Sequence, residues 1–212
     1  AFSIFLSQQD FPAIVNGTAA DTMPPLYYFV LHLFLGISCK IWWLRILNVS
    51  VSLGNIYLLY RIVRYLAGDT AGLVAALLAA ISPIHIYHAQ ELRMYTFLVF
   101  GQLLYTWFFI KLWYPRENGM FSRHGWLDWA GLILGGVIAM YSHNLAIFTL
   151  IVPDIILLIR RDWRGLFRLF FVQVAVLAVA SPWLLLIPGQ VDKIQKAFWT
   201  PRPGIVEIIQ AI

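Results

Sequence analysis

Between Ser82 and Tyr95 the chain reads Ser-Pro-Ile-His-Ile-Tyr-His-Ala-Gln-Glu-Leu-Arg-Met-Tyr, which gathers His85, His88, Gln90, Glu91 and Arg93 in an otherwise apolar neighbourhood. A carboxylate and a guanidinium at membrane depth are costly unless they are paired or hydrated, so their presence implies a partner or a wet cavity. Arg93 suits a phosphate, because its planar fork offers bidentate, charge-assisted hydrogen bonds that persist at low dielectric. Glu91 can orient that fork or accept hydrogen bonds from sugar hydroxyls. His85 and His88, with Glu91, imitate a His-x-x-His-x-x-Glu metal face. Pro83 disturbs the local helix, however, and an interfacial His pair is more commonly hydrogen-bonded structure. The plainer alternative is a polar loop. Aromatic residues crowd both sides, where a plain loop would use Gly, Ser or Asn.

Two smaller groups repeat the theme. Asp21 precedes Pro24-Pro25 and the apolar Leu26-Tyr27-Tyr28. Pro suits a first helical turn, so Asp21 reads either as a cap on that helix or as an acid facing a polar cavity. His143 and Asn144, next to Tyr141, read either as acceptor-site lining or as a helix-to-helix turn. Gln190, Asp192, Lys193, Phe198 and Trp199 have the amide, acid and aromatic character of a sugar pocket. Asn16-Gly17-Thr18 matches a glycosylation sequon, a weak signal that is discounted.

The elements that must position these residues are membrane-spanning. Apolar residues make up 61% of the 212 residues and charged residues 12%, whereas a soluble domain is about half apolar and about a quarter charged. Mean hydropathy is +0.77. The apolar blocks run from 46 to 60 or 62, 71 to 87, 94 to 110, 126 to 141, 145 to 159 and 166 to 187, most of them close to the roughly 20 residues that cross a bilayer as helix. The expectation is an all-α, polytopic transmembrane bundle of about six spans. Residues 1–45 form an outer loop with interfacial helices, 46–187 the bundle, and 188–212 the start of a further outer segment. The block 24–38 is short and reads as an interfacial helix with Tyr27 and Tyr28 at headgroup level.

A net charge of +5 and a pI near 9.5 raise the question of nucleic acid. The basic residues sit in short clusters between apolar blocks instead of forming a stripe, so no nucleic-acid partner is expected. Nine of the fifteen, Arg61, Arg64, Lys111, Arg116, Arg123, Arg160, Arg161, Arg164 and Arg168, fall on one side of the map. The positive-inside bias makes that side cytoplasmic and puts Asp21, the 85–95 stretch, His143 and Asn144 together on the outer face. Cys39 stands alone, which excludes an internal disulfide and a cysteine zinc site. The chain opens without Met and closes in an apolar run, and is read as a fragment truncated at both ends.

Taken in order, Asp21 to Tyr28 as Asp-x-x-Pro-Pro-Leu-Tyr-Tyr, Arg45-Ile46-Leu47, Ser82-Pro83 followed by Gln90-Glu91-x-Arg93-x-Tyr95, the Tyr141 to His143 corner, Pro182-Trp183 and Phe198-Trp199-x-Pro201 resemble prokaryotic family 39-type membrane glycosyltransferases of the GT-C class. These are relatives of the dolichyl-phosphate-mannose protein mannosyltransferases and of the lipid A aminoarabinose transferase. The resemblance implies a GT-C fold in a prokaryotic plasma membrane and a polyprenyl-phosphate sugar as donor. The acceptor would be a protein, glycan or lipid, and the displacement inverting. It also implies a general base in the first outer loop, upstream of Ala1, and a cation, Arg93 or Arg45, beside the leaving phosphate. Asp21 matches the family's acid before Pro-Pro. Met23 stands where the family has His, which weakens the carry-over at that position. Gln90, Glu91, Tyr95 and His88 are then donor-binding candidates, and Tyr27, Tyr28, His85, His143 and Asn144 cavity candidates. No metal ligand set or organic cofactor is required, a divalent cation has no support in the sequence, and the fragment is expected to be inactive alone. The alternative is a transporter or flippase of a lipid-linked substrate, which would place Glu91 near the middle of the membrane.

Overall fold

The computed structural model describes residues 2–114 and 125–191, in which no strand occurs. Three short helices come first: α1 (Phe2–Ser7), α2 (Phe11–Ala20) and α3 (Leu26–Leu35). The bundle follows as α4 (Ile41–Ala67), α5 (Asp69–Ile81), α6 (Pro83–Gln90), α7 (Tyr95–Trp113), α8 (Trp126–Ser142), a 3-10 turn at Asn144–Ala146, α9 (Ile147–Ile159) and α10 (Trp163–Leu184).

Each apolar block of the sequence is helical, but the helices differ in reach. α4, α7 and α10 are long and apolar enough to cross a membrane. α4, with 27 residues, is about 40 Å long at 1.5 Å per residue, more than the roughly 30 Å of hydrocarbon. The block at 71 to 87 is a span broken between α5 and α6 with a bend of 59°. Ser82 is extended because Pro83 disfavours the helical region for the residue before it, and Pro83 itself opens α6, where its missing N–H costs nothing. α8 has 17 residues and α9 has 13, so the described helices give three full-length spans and up to four with the bent pair. The expected six require these two shorter apolar helices to cross as well. Leu73, Leu77, Leu78 and Ile81 on α5, and Phe167, Phe170 and Phe171 on α10, all face outward. Only a bilayer solvates such a surface, and the chain is an integral membrane protein.

Inside the bundle, α7 and α8 touch backbone to backbone. A Cβ placed on Gly101 would lie 2.5 Å from the Ala139 nitrogen, and one on Gly135 would lie 2.5 Å from the Tyr105 nitrogen. Without a hydrophobic force between helices in lipid, such close approach by small residues is what drives association. Gly135→Ala is therefore expected to destabilise the protein by on the order of 2 kcal/mol, read as a lower thermal midpoint in detergent. Gly189→Ala, where a Cβ meets nothing, should leave the midpoint unchanged.

The bundle has two chemically different ends. At one, Arg64 pairs with Asp69 and Lys111 with Asp128, Arg61 lies 4.8 Å over the Trp107 ring and Arg160 4.4 Å over the Tyr114 ring. Every described member of the larger basic set sits on helix segments that meet here; Arg116 and Arg123 lie outside the described residues. At the other end α1 to α3 pack over the starts of α4 and α7 and the 3-10 turn.

Candidate functional site

The site is assembled from the end of α6, the link 91–94 and the start of α7. α6 stops at Gln90 and Glu91 is extended, so Glu91 and the two His do not share a helical face. His85 Nδ1 instead meets Ser52 Oγ at 3.2 Å, and His88 Nδ1 meets Glu91 Oε2 at 3.1 Å. Among the described residues no group of three His, Cys, Asp or Glu is placed to hold a metal ion. The Arg93 Nε lies 3.9 Å from Glu91 Oε1, a loose pairing that leaves most of the guanidinium's donors for something else.

Arg45, Gln90, Glu91 and Arg93 line one cavity of about 440 Å³. α4 begins at Ile41, five residues before the apolar block, and so carries Arg45 in its second turn to face the link. The roof is Phe2, Ser3 and Ile4 of α1, not the helix after Pro24. A second, apolar cavity of about 340 Å³ next to it is lined by His85, His88 and Tyr95 with Ser82 and Asn55. Tyr95 joins these to the corner beyond α8: its ring is 4.7 Å from that of His88 and 6.3 Å from that of His143. Asn144 is a tie between segments, its Nδ2 donating to the Thr22 carbonyl at 2.9 Å while its Oδ1 accepts from Trp183 Nε1 at 2.8 Å.

Asp21 does not cap the helix after Pro-Pro. It closes α2, its N–H donating to the Gly17 carbonyl, whereas Pro25 stands at the cap of α3. The lone acid that does cap is Asp10, whose Oδ1 accepts from the Ala13 nitrogen at 2.9 Å. The Asp21 carboxylate is left to face Tyr28 and Arg93; partial burial raises it above the usual carboxylate range and Arg93 pulls it part of the way back. Tyr27 and Tyr28 are buried inside the protein, being 0% and 2% exposed, and line neither cavity. They pack edge-on with one another, and Tyr27 with Phe97, and burial pushes both phenols above their ordinary range. Of the tail residues, Gln190 is buried, and Asp192, Lys193, Phe198 and Trp199 lie outside the described residues.

The most informative residues were missed by sequence reasoning. Asn48, Ser52 and Asn55 form a polar stripe along one face of α4, all buried. Asn48 Nδ2 donates to the Glu91 carbonyl and, at 2.9 Å, to that of Arg93. Ser52 holds His85, and Asn55 Nδ2 donates to the Thr96 carbonyl at 3.0 Å. Within the link the Met94 carbonyl accepts from the Leu98 nitrogen and that of Glu91 from the Arg93 nitrogen, and α4 adds donors to Glu91 and Arg93. The i, i+4, i+7 spacing of these polar residues in an apolar helix was the available signal.

His143 carries a pH consequence. Burial lowers its pKa below the model-compound 6.5, and its Nδ1 accepts from the Leu145 nitrogen at 3.1 Å, which requires that nitrogen to be unprotonated. A depressed folded-state pKa gives stability that is present above the unfolded value and lost as pH falls through the folded one. The thermal midpoint is expected to fall between about pH 7.5 and about pH 5.5, and His143→Asn, which keeps an acceptor and cannot titrate, should flatten that fall.

The site therefore combines two arginines and a carboxylate on one polar cavity, an aromatic cluster beside it, and a second acid near Arg93, all at one end of a membrane bundle. No curated protein and no solved structure matches the chain. The family model described as dolichyl-phosphate-mannose-protein mannosyltransferase matches residues 22–186, a range that contains Asp21's neighbour Thr22, all of the link and every bundle helix up to α10. The chain belongs to the dolichyl-phosphate-mannose-protein mannosyltransferase family of GT-C type membrane glycosyltransferases.

Proposed function

We propose that this site transfers a sugar from a polyprenyl-phosphate donor to a hydroxyl of a protein, glycan or lipid acceptor, at the outer face of a prokaryotic plasma membrane. The observation that carries the reading is the cavity lined by Arg45, Gln90, Glu91 and Arg93. Two guanidiniums serve a donor phosphate, and an amide with a carboxylate serves sugar hydroxyls, within a space large enough for a sugar phosphate.

In the proposed reaction the acceptor oxygen attacks the anomeric carbon as the bond from that carbon to the phosphate oxygen breaks. The electron pair leaves with the lipid phosphate, whose growing charge Arg93 and Arg45 stabilise. The acceptor's proton passes to a carboxylate. Asp21, made more basic by partial burial, is the acid this chain offers on the acceptor side, next to any base contributed from elsewhere. Tyr95, His88 and His85 line the apolar cavity next to it, and His143 and Asn144 brace that side. Against the transporter reading stands the place of Glu91, in the link after α6 and beside α1, while the break between α5 and α6 is a feature that carriers share.

The test is turnover of radiolabelled polyprenyl-phosphate sugars by the full-length protein in lipid. Label released or transferred supports the reading, and no turnover with any donor sinks it in favour of a carrier.

A further inference from the structure

An apolar cavity larger than either of those at this site lies away from it, toward the basic end. It has a volume of about 550 Å³ and runs between α7 and α9, with Leu66 of α4 at its edge. Its inner end is marked by Gln102 and Thr149, its outer end by Tyr114 and Arg160. The polar groups within it are already used: Gln102 Nε2 donates to Thr149 Oγ1 at 2.8 Å, and Thr106 Oγ1 donates to the Gln102 carbonyl at 2.8 Å. What the groove presents is therefore apolar along its length and cationic at one end.

Arg160 is the cation, and its geometry suits an anion from outside. Its guanidinium lies 4.4 Å over the Tyr114 ring. Stacking engages the face of the fork and leaves its in-plane N–H donors open. The described carboxylates near this end have other partners. Asp69 pairs with Arg64 and Asp128 with Lys111, Asp162 Oδ1 accepts from the Gly165 nitrogen, and Asp154 accepts from Gln173. None of them forms an ion pair with Arg160.

We propose that this groove binds an anionic glycerophospholipid of the leaflet at the basic end, with one acyl chain along α7 and α9 and its phosphate on Arg160. Length decides the occupant. Gln102 and Tyr114 are twelve positions apart on α7, which is about 18 Å at 1.5 Å per residue. One leaflet provides about 15 Å, half of the roughly 30 Å hydrocarbon core. The groove is thus the depth of an acyl chain anchored at its own interface, and a polyprenyl chain would overrun it. Charge agrees, because anionic lipids and basic residues favour the same side of the membrane. This inference stands whether or not the sugar-transfer site functions as proposed.

The experiment is native mass spectrometry of the detergent-purified protein titrated with phosphatidylglycerol, phosphatidylcholine of the same acyl chains, and a polyprenyl phosphate. The expected result is about fivefold tighter retention of phosphatidylglycerol than of phosphatidylcholine, the effect of one interfacial cation, with Arg160→Gln removing the preference. Val152→Trp, at an exposed position of the groove wall, fills the groove without touching the core and should release both lipids. Equal retention of the two phospholipids, a preference that survives Arg160→Gln, unchanged binding in Val152→Trp, or displacement of phosphatidylglycerol by equimolar polyprenyl phosphate would each overturn the proposal.

Discussion

Arg93→Ala is expected to lower sugar transfer by about 10²- to 10³-fold, the loss seen when one preorganised group facing a developing negative charge is removed. Three observations place the weight on this residue. It lines the cavity with Arg45, its pairing with Glu91 is loose at 3.9 Å, and its charge is felt by Asp21 nearby. Most of the loss should appear in kcat, because the charge on the departing phosphate grows toward the transition state. Arg93→Lys keeps the charge and loses the planar fork, and should fall between wild type and alanine. Wild-type turnover in Arg93→Ala, at equal expression in the same lipid, would remove this arginine from the mechanism.

The second large effect is expected at a residue that touches no substrate. Asn48→Leu keeps the size of the side chain and deletes the two donors that hold the carbonyls of Glu91 and Arg93. The Arg93 carbonyl loses its donor and that of Glu91 keeps just the Arg93 N–H, so the link is expected to relax away from α4. A displacement of about 1 Å in a positioned group can cost on the order of 10²-fold in rate, and that is the loss to look for in donor turnover. Asn48 is a positioning residue, so the diagnostic is a collapse of kcat with helical circular dichroism and membrane insertion preserved. An Asn48→Leu protein that folds and turns over normally would show that the link holds its shape unaided.

These two residues also mark what the sequence makes legible. Arg93 announces itself, because an unhidden charge among aromatic residues has few bland explanations. Its neighbours Gln90 and Glu91 come with it, and the structure puts all three on one cavity. The bundle was legible for a similar reason, since long apolar blocks have only one cheap environment. Asn48 was not, because a single amide in a span reads as tolerated polarity until its partners, more than forty residues later, are known. The two readings of Asp21 stayed open for a local reason: a carboxylate before Pro-Pro fits a cap, and only the extra turn at Thr22, with φ of 60°, takes it off the start of α3. Tyr27 and Tyr28 pointed to an interface on chemical grounds, and only the contacts of Phe2 with Tyr28 and of Phe97 with Tyr27 show them buried. The roof of the cavity was hidden altogether, since nothing in Phe2-Ser3-Ile4 suggests a role.

The stripe on α4 bears on how the protein is made. Asn48 emerges from the ribosome 43 residues before Glu91, and at about 5–20 residues per second that interval is about 2–9 s. During it α4 carries buried-type amides with no carbonyl to meet, and a lone span bearing them is poorly suited to hydrocarbon. The same contacts that shape the finished site thus make early release of α4 into lipid unfavourable, and favour its retention beside the insertion machinery until the bent hairpin of α5 and α6 and the link behind it arrive. Insertion and assembly of the site become one event.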